Sequence, residues 1–227
     1  MTLILNLETA TTNCSVSVAQ GEVILAIKEH NTPSYSHSEQ LHVFILEVLA
    51  EAAVSLSEID AIAISKGPGS YTGLRIGVSA AKGLCFSLDI PLISISTLKS
   101  MATQSTSDEI DYIIPLLDAR RMEVYSRVFD GNYNEVRETK AEIIDDNSFE
   151  KFLEIGNVLL MGSGAEKCKT VLNRDNLIYD TAVYPSARQM AKLSFAKYQK
   201  SDFEDVAYFE PYYLKDFVMQ TKTKKTP

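Results

Sequence analysis

Two carboxylates, Glu8 and Asp118, each follow an apolar run that reads as a β-strand. A carboxylate at a strand end can organise a nucleotide's metal or simply cap a turn, and residue type alone leaves both readings open. A second candidate is the loop Gly67-Pro68-Gly69-Ser70-Tyr71-Thr72-Gly73. Backbone N–H groups where a glycine-rich turn enters a helix can hold an anion. The loop lacks the Lys-Ser/Thr pair that ends a nucleotide P-loop, so a tight turn that brings a helix close to a sheet is the preferred account. Of the three histidines, His30, His37 and His42, the last two would diverge by about 140° on a helix and cannot share an ion as an i, i+4 pair does. His37 is expected at the solvent or at an interface. Cys14, Cys85 and Cys168 form no C-x-x-C pair. Two of them lie in apolar runs, where a thiol behaves as a small hydrophobe, and this usage points to a reducing compartment. No Cys–His or Ser–His–Asp arrangement has local support.

The elements that would position these groups fall into two similar halves. Leu3–Leu7, Ser15–Ala19 and Val23–Ile27 are apolar and β-branched, with Gly21-Glu22 as a hairpin turn, so three antiparallel strands are expected. Ser36-His37-Ser38-Glu39 fits a capping box, Ser36 as N-cap, for a helix running to about Val54. A strand at Ala61–Ile64, a helix at Gly73–Leu88 and a strand at Leu92–Ile95 complete the first half. After a helix at Thr97–Thr103, strands at Tyr112–Leu117, Glu123–Phe129 and Tyr133–Thr139 repeat the meander. Helices near Ser148–Ile155, Glu166–Leu172 and Ala187–Tyr198, with a strand at Val158–Met161 and the turn Gly162-Ser163-Gly164, finish the second half. The expected division is residues 1–100 and 101–227, with a polar, disordered tail from about 220. Three strands, helix, strand, helix, strand is the order of one lobe of the actin/sugar-kinase/Hsp70 fold.

Composition narrows the setting. The 227 residues are 45% hydrophobic and 23% charged, enough for a sizeable core. With 22 basic and 30 acidic residues the net charge is −8, which argues against autonomous RNA binding, since phosphate neutralisation supplies much of such affinity. No basic-then-apolar leader is visible and no run approaches the roughly 20 apolar residues of a spanning helix. A cytosolic protein with no membrane partner is expected.

Two helices carry more apolar surface than one sheet would cover. Along Ser36–Val54 the polar positions Gln40, Glu47 and Glu51 form a narrow stripe, with Leu41, Phe44, Ile45, Val48, Leu49 and Ala52 on one side and Val43, Leu46, Ala50, Ala53 and Val54 over much of the rest. A sheet-facing helix needs an apolar arc of only a little over about 100°. In Gly73–Leu88 the small residues Gly73, Gly77 and Ala81 recur every four positions, among Leu74, Ile76, Val78, Leu84, Phe86 and Leu88. Each helical glycine costs about 1 kcal/mol relative to alanine, so close approach of another element is expected. Burial within the lobe itself is the plainer alternative to an intermolecular face.

These residues together resemble the TsaB (YeaZ) family. Leu7-Glu8-Thr9-Ala10-Thr11 with Cys14-Ser15-Val16 resembles its opening strand pair, and Ser36-His37-Ser38-Glu39-Gln40-Leu41 the start of its first helix. The most distinctive runs are Gly67-Pro68-Gly69-Ser70-Tyr71-Thr72-Gly73-Leu74-Arg75-Ile76-Gly77 and Asp118-Ala119-Arg120-Arg121-Met122-Glu123-Val124-Tyr125, while Pro211-Tyr212-Tyr213-Leu214-Lys215 resembles the C-terminal motif.

The resemblance implies a two-lobed α/β actin-like (ribonuclease H-like) fold and a non-catalytic subunit. Its partners would be TsaD and the small ATPase TsaE, in a complex that transfers threonylcarbamoyl to N6 of adenosine 37 in ANN-decoding tRNAs. It implies tRNA contact only through the complex, a homodimer when alone, and no cofactor on the isolated chain, with ATP or ADP at an interface of the complex. The catalytic relative carries a His-x-x-x-His metal pair where this chain has Thr97 and Met101, which cannot ligate as imidazoles do. The expected dimer face is Leu41, Phe44, Ile45, Val48, Leu74, Gly77, Val78, Ala81 and Cys85. The expected nucleotide cleft is Glu8, Thr9, Asp118, Arg120, Gly162 and Gly164, although the family more often has Asp where Glu8 stands. An actin-fold ATPase or kinase using that cleft is the alternative, and a metallopeptidase a more distant one.

Overall fold

The computed structural model describes residues 2–32 and 37–214. The expected N-cap Ser36 and the expected disordered tail lie outside the described residues.

Two five-stranded sheets repeat one topology. In the first, β1 (Leu3–Glu8) is central, antiparallel to β2 (Asn13–Gln20) and parallel to β4 (Ala61–Gly67), with β3 (Val23–Asn31) and β5 (Leu92–Ser96) at the edges. In the second, β6 (Tyr112–Asp118) takes the place of β1, flanked by β7 (Glu123–Asp130), β8 (Glu135–Ile143), β9 (Val158–Met161) and β10 (Leu177–Asp180). The half-exposed edge strand β10 is not foreseen from the sequence. The other expected strands form, most of them one to four residues longer.

Strand alternation decides what each face of the first sheet buries. Leu5, Leu7, Ile62 and Ile64 point to one side, where α1 (His37–Glu51) and α2 (Tyr71–Leu88) cover them. Ile4, Ala61, Ala63, Ile93 and Ile95 point to the other, against Ala187 and Met190 of α6 (Ala187–Gln199). The linear division at residue 100 therefore needs correction. The chain from α6 returns to the first lobe, and Glu204 N–H donates to Leu92 O at 2.8 Å. Conversely Leu98, Met101 and Ala102 of α3 (Thr97–Ala102) pack with Ile113, Leu117 and Phe129 of the second sheet.

The second lobe buries its sheet under much shorter helices, α4 (Glu150–Leu153) and α5 (Ala165–Cys168), each a single turn where longer helices are expected. Phe149 enters α4 with φ of 64°, a left-handed entry that ends regular structure before it. Among the described residues, no helix is long and apolar enough to cross a membrane.

Candidate functional site

Glu8 ends β1 and is 0% exposed. One carboxyl oxygen accepts from Ala10 N–H and from the Ser65 hydroxyl, both at 2.7 Å. The other oxygen is buried with no hydrogen-bond partner among the described residues. Burial raises the acid's pKa from 4.5 to about 7, and the Ala10 and Ser65 bonds only partly offset it. Glu8 is thus shut inside the lobe, not presented to a cleft as the resemblance implies. Thr9 beside it is also buried.

The reason is the α2 entry. Ser70 caps α2, its hydroxyl accepting from Gly73 N–H at 3.3 Å. A Cβ on Gly73 would collide with Thr9 O, and one on Gly77 with Thr9 Oγ1, with Ile64 Cδ1 at 2.8 Å. The four-residue glycine spacing does mark a close approach, but the element that approaches is the chain's own turn after β1. His37, expected at the surface, is buried and places Nε2 2.6 Å from Thr11 O on the same turn. The Gly67–Gly73 loop is the tight turn preferred from the sequence.

Asp118 ends β6, the equivalent place in the second lobe, and is exposed. Lys167 pairs with it at 2.5 Å, and Arg120 N–H donates to it at 2.7 Å. Gly162 and Gly164 lie against the same strand: Gly164 N–H donates to Leu116 O at 3.0 Å, and a Cβ on Gly162 would stand 2.6 Å from that oxygen. Asp118, Arg120, Gly162 and Gly164 are therefore gathered at one end of β6, whereas Glu8 and Thr9 are enclosed in the other lobe. A cavity of about 460 Å³ opens elsewhere, among Asn13, Glu29, Gln104, Tyr184, Arg188 and Gln189, and none of the six expected cleft residues lines it.

The expected dimer face also needs correction. Leu41, Ile45, Val48, Leu74, Gly77, Val78, Ala81 and Cys85 are buried in the lobe's own core, and Phe44 is partly buried against it. The most exposed apolar side chains of α1 and α2 are Val43 (49% exposed), Leu46 (70%) and Phe86 (85%). Leu46 and Val43 stand off the Leu41-Ile45-Val48 stripe, which is the signal that separates outer from inner positions. Gly83, beside Phe86, has open space where a Cβ would be. One flank of α2 is covered by the chain itself, Lys82 Nζ donating to Ala207 O and Phe209 O at 3.0 Å each.

Thr97 and Met101, at the positions where the resemblance puts a metal pair in the catalytic relative, are both fully buried. No group of three or more His, Cys, Asp or Glu side chains arranged to hold a metal ion occurs among the described residues. The three cysteines are buried, their thiols pushed up to about 12 chiefly by desolvation, and act as packing groups.

Two sheets of identical strand order, joined by helices that cross between them, define a two-lobed actin-like fold. A solved protein from Pseudomonas aeruginosa described as similar to peptidase YeaZ superposes with a TM-score of 0.83 at 25% identity, over 95% of this chain and 100% of that one. YeaZ from Pseudomonas aeruginosa superposes with a TM-score of 0.78 at 23% identity over 94% and 100%. The family model for TsaD, tRNA N6-adenosine threonylcarbamoyltransferase, matches residues 29–223. Relatives named tRNA threonylcarbamoyladenosine biosynthesis protein TsaB include those of Haemophilus influenzae, 29% identical over 96% of both chains, and of Buchnera aphidicola (subsp. Baizongia pistaciae), 30% identical over 88% of this chain and 92% of that one. The chain belongs to the TsaB (YeaZ) family, within the superfamily of actin-like folds.

Proposed function

We propose that this chain serves tRNA threonylcarbamoyladenosine biosynthesis as a non-catalytic cytoplasmic subunit, docking through the outer faces of α1 and α2. The observation that carries the reading is the outward display of Val43, Leu46 and Phe86 on two neighbouring helices. Large apolar side chains grouped on a surface mark contact sites. The partner is a TsaD-type catalytic chain, with TsaE joining the complex. Alone, the same face closes on a second copy about a two-fold axis. ATP or ADP belongs at an interface of the complex, and tRNA is reached through the complex alone.

The enclosure of Glu8 supports the non-catalytic role. An acid that burial pushes toward its neutral form is a poor organiser of a nucleotide's metal.

The test is sedimentation of the chain with and without its cognate TsaD-type protein, followed by assay of modified tRNA with each component omitted in turn. Leu46→Asp combined with Phe86→Asp is expected to abolish both associations and the modification while leaving the unfolding midpoint unchanged. Association and modification unaffected by the double substitution would remove this reading.

A further inference from the structure

Lys66 occupies an irregularity in the first sheet. β4 and β5 pair as Ser65↔Ile95 and then Gly67↔Ser96, so Lys66 is an extra residue with no opposite number in the ladder. Bulges of this kind re-aim a side chain and recur beside functional sites. The place is the carboxyl end of two parallel strands, where open α/β sheets receive their ligands.

Other cations surround it, from both lobes. Burial and then the charge of Lys197 on α6 do most to lower the pKa of Lys66, with Arg127 on β7 adding to them. Those two neighbours are neutralised. Arg127 pairs with Glu135 and donates to Ser96 Oγ at 3.2 Å, while Lys197 pairs with Asp202 at 3.2 Å and donates to Ser94 O at 3.1 Å. Glu204, a carboxylate within electrostatic range of Lys66, accepts the Ser94 hydroxyl. The Lys66 ammonium makes no hydrogen bond or ion pair among the described residues. Its backbone oxygen accepts from Tyr212 N–H at 2.7 Å, which brings a partly exposed tyrosine to the same spot. Glu204 and Asp202 offset part of that charge from a distance, but neither pairs with Lys66. A half-buried ammonium with cations beside it and no directly paired carboxylate is costly to keep, and an incoming anion lowers the cost.

We infer that Lys66, with Arg127, Lys197, Ser96 and Tyr212, forms a binding site for a phosphate-class oxyanion, supplied either by a small phosphate or by a nucleic-acid backbone. Donors contributed by β4, β7 and α6 suit a tetrahedral group with oxygens on several sides better than a planar carboxylate. The inference does not rest on the α1/α2 docking face. The net charge of −8 repels polyanions at a distance, so recognition here acts at contact range.

The full chain is titrated calorimetrically at low salt with inorganic pyrophosphate and, separately, with a short single-stranded RNA. Wild type is compared with Lys66→Gln, Lys66→Arg and, as a control, Lys192→Gln, an exposed lysine of α6. Lys66→Gln should weaken binding about tenfold, the worth of one charge-assisted hydrogen bond. Lys66→Arg should largely retain binding, and Lys192→Gln should leave it unchanged. Binding of RNA without pyrophosphate would assign the site to a nucleic-acid backbone and replace the proposal that tRNA is reached through the complex alone. The converse would assign it to a small phosphate and leave that proposal standing. Equal affinity in Lys66→Gln, or no binding of either probe at millimolar concentration, overturns the inference. Should Lys66→Gln fail to fold, acylation of the unsubstituted chain read by mass spectrometry decides. Lys66 should be shielded by the bound probe while Lys192 is not, and equal labelling with and without probe overturns the site.

Discussion

The two lobes share a strand order but not an economy of charge. Glu8 and Asp118 end the central strands of the two sheets, at topologically equivalent points. The first is fully enclosed, with one oxygen unsatisfied and its neutral form favoured. The second is open to water and ion-paired. What differs is the covering element. An 18-residue α2 lies on the first lobe and its glycines admit the turn after β1, whereas one-turn helices in the second lobe leave the end of β6 open. Long helices close a site and also create an outer face, so the lobe that encloses its carboxylate is the one that displays Leu46 and Phe86. A repeated topology therefore fixes positions without fixing chemistry.

The sharpest way to break this contrast is Gly77→Arg. The side chain would be driven into Thr9 and Ile64 and would bury a charge, so the expected loss is about 4 kcal/mol or more, seen as insolubility or a collapsed denaturation midpoint. A soluble, folded but monomeric variant would instead return Gly77 to the intermolecular face. Next in size is the pH dependence set by Glu8. Its folded-state pKa lies above the unfolded value of 4.5, so the native state binds the extra proton and stability falls as pH rises from about 4.5 to about 7. A shift of that size corresponds to about 3 kcal/mol. Urea unfolding of wild type against Glu8→Gln should show this slope in the first and its loss in the second; parallel profiles would mean that Glu8 is hydrated in solution.

Much of this contrast was legible in the residues, though not all of it. The apolar runs from Leu3 onward and the turn at Gly21 give the meander, and small residues at Gly73 and Gly77 mark a close contact. Spacing reveals that something must approach; it cannot say which backbone arrives, and here it is the chain's own Thr9. The return of α6 was equally hidden, because an amphipathic helix declares an apolar face without naming the sheet that receives it. Helices in the second lobe are shorter than the apolar pattern suggests, since residues such as Phe149 and Phe152 fill a core from irregular backbone as well as from a helix. The outer positions of α1 could have been separated from the inner ones by strict i, i+3, i+4 counting from Leu41.

The smallest expected effects sharpen the other side of the comparison. Lys167 reaches Asp118 and also donates to Arg121 O at 2.6 Å and Glu123 O at 3.0 Å, across a hairpin whose Arg120 and Arg121 have φ of 73° and 51°. Its side chain is 14% exposed while that of Asp118 is 49% exposed, so the carbonyl contacts, not the ion pair, should carry most of its contribution. Lys167→Met is expected to cost about 2 kcal/mol, by freeing a left-handed turn that only surrounding contacts hold. Asp118→Asn keeps an acceptor for Arg120 N–H and should cost less than about 1 kcal/mol, shrinking further in high salt. If the two substitutions prove equal and both vanish with salt, the end of β6 is held by charge alone, and the open carboxylate of the second lobe is as structural as the closed one of the first.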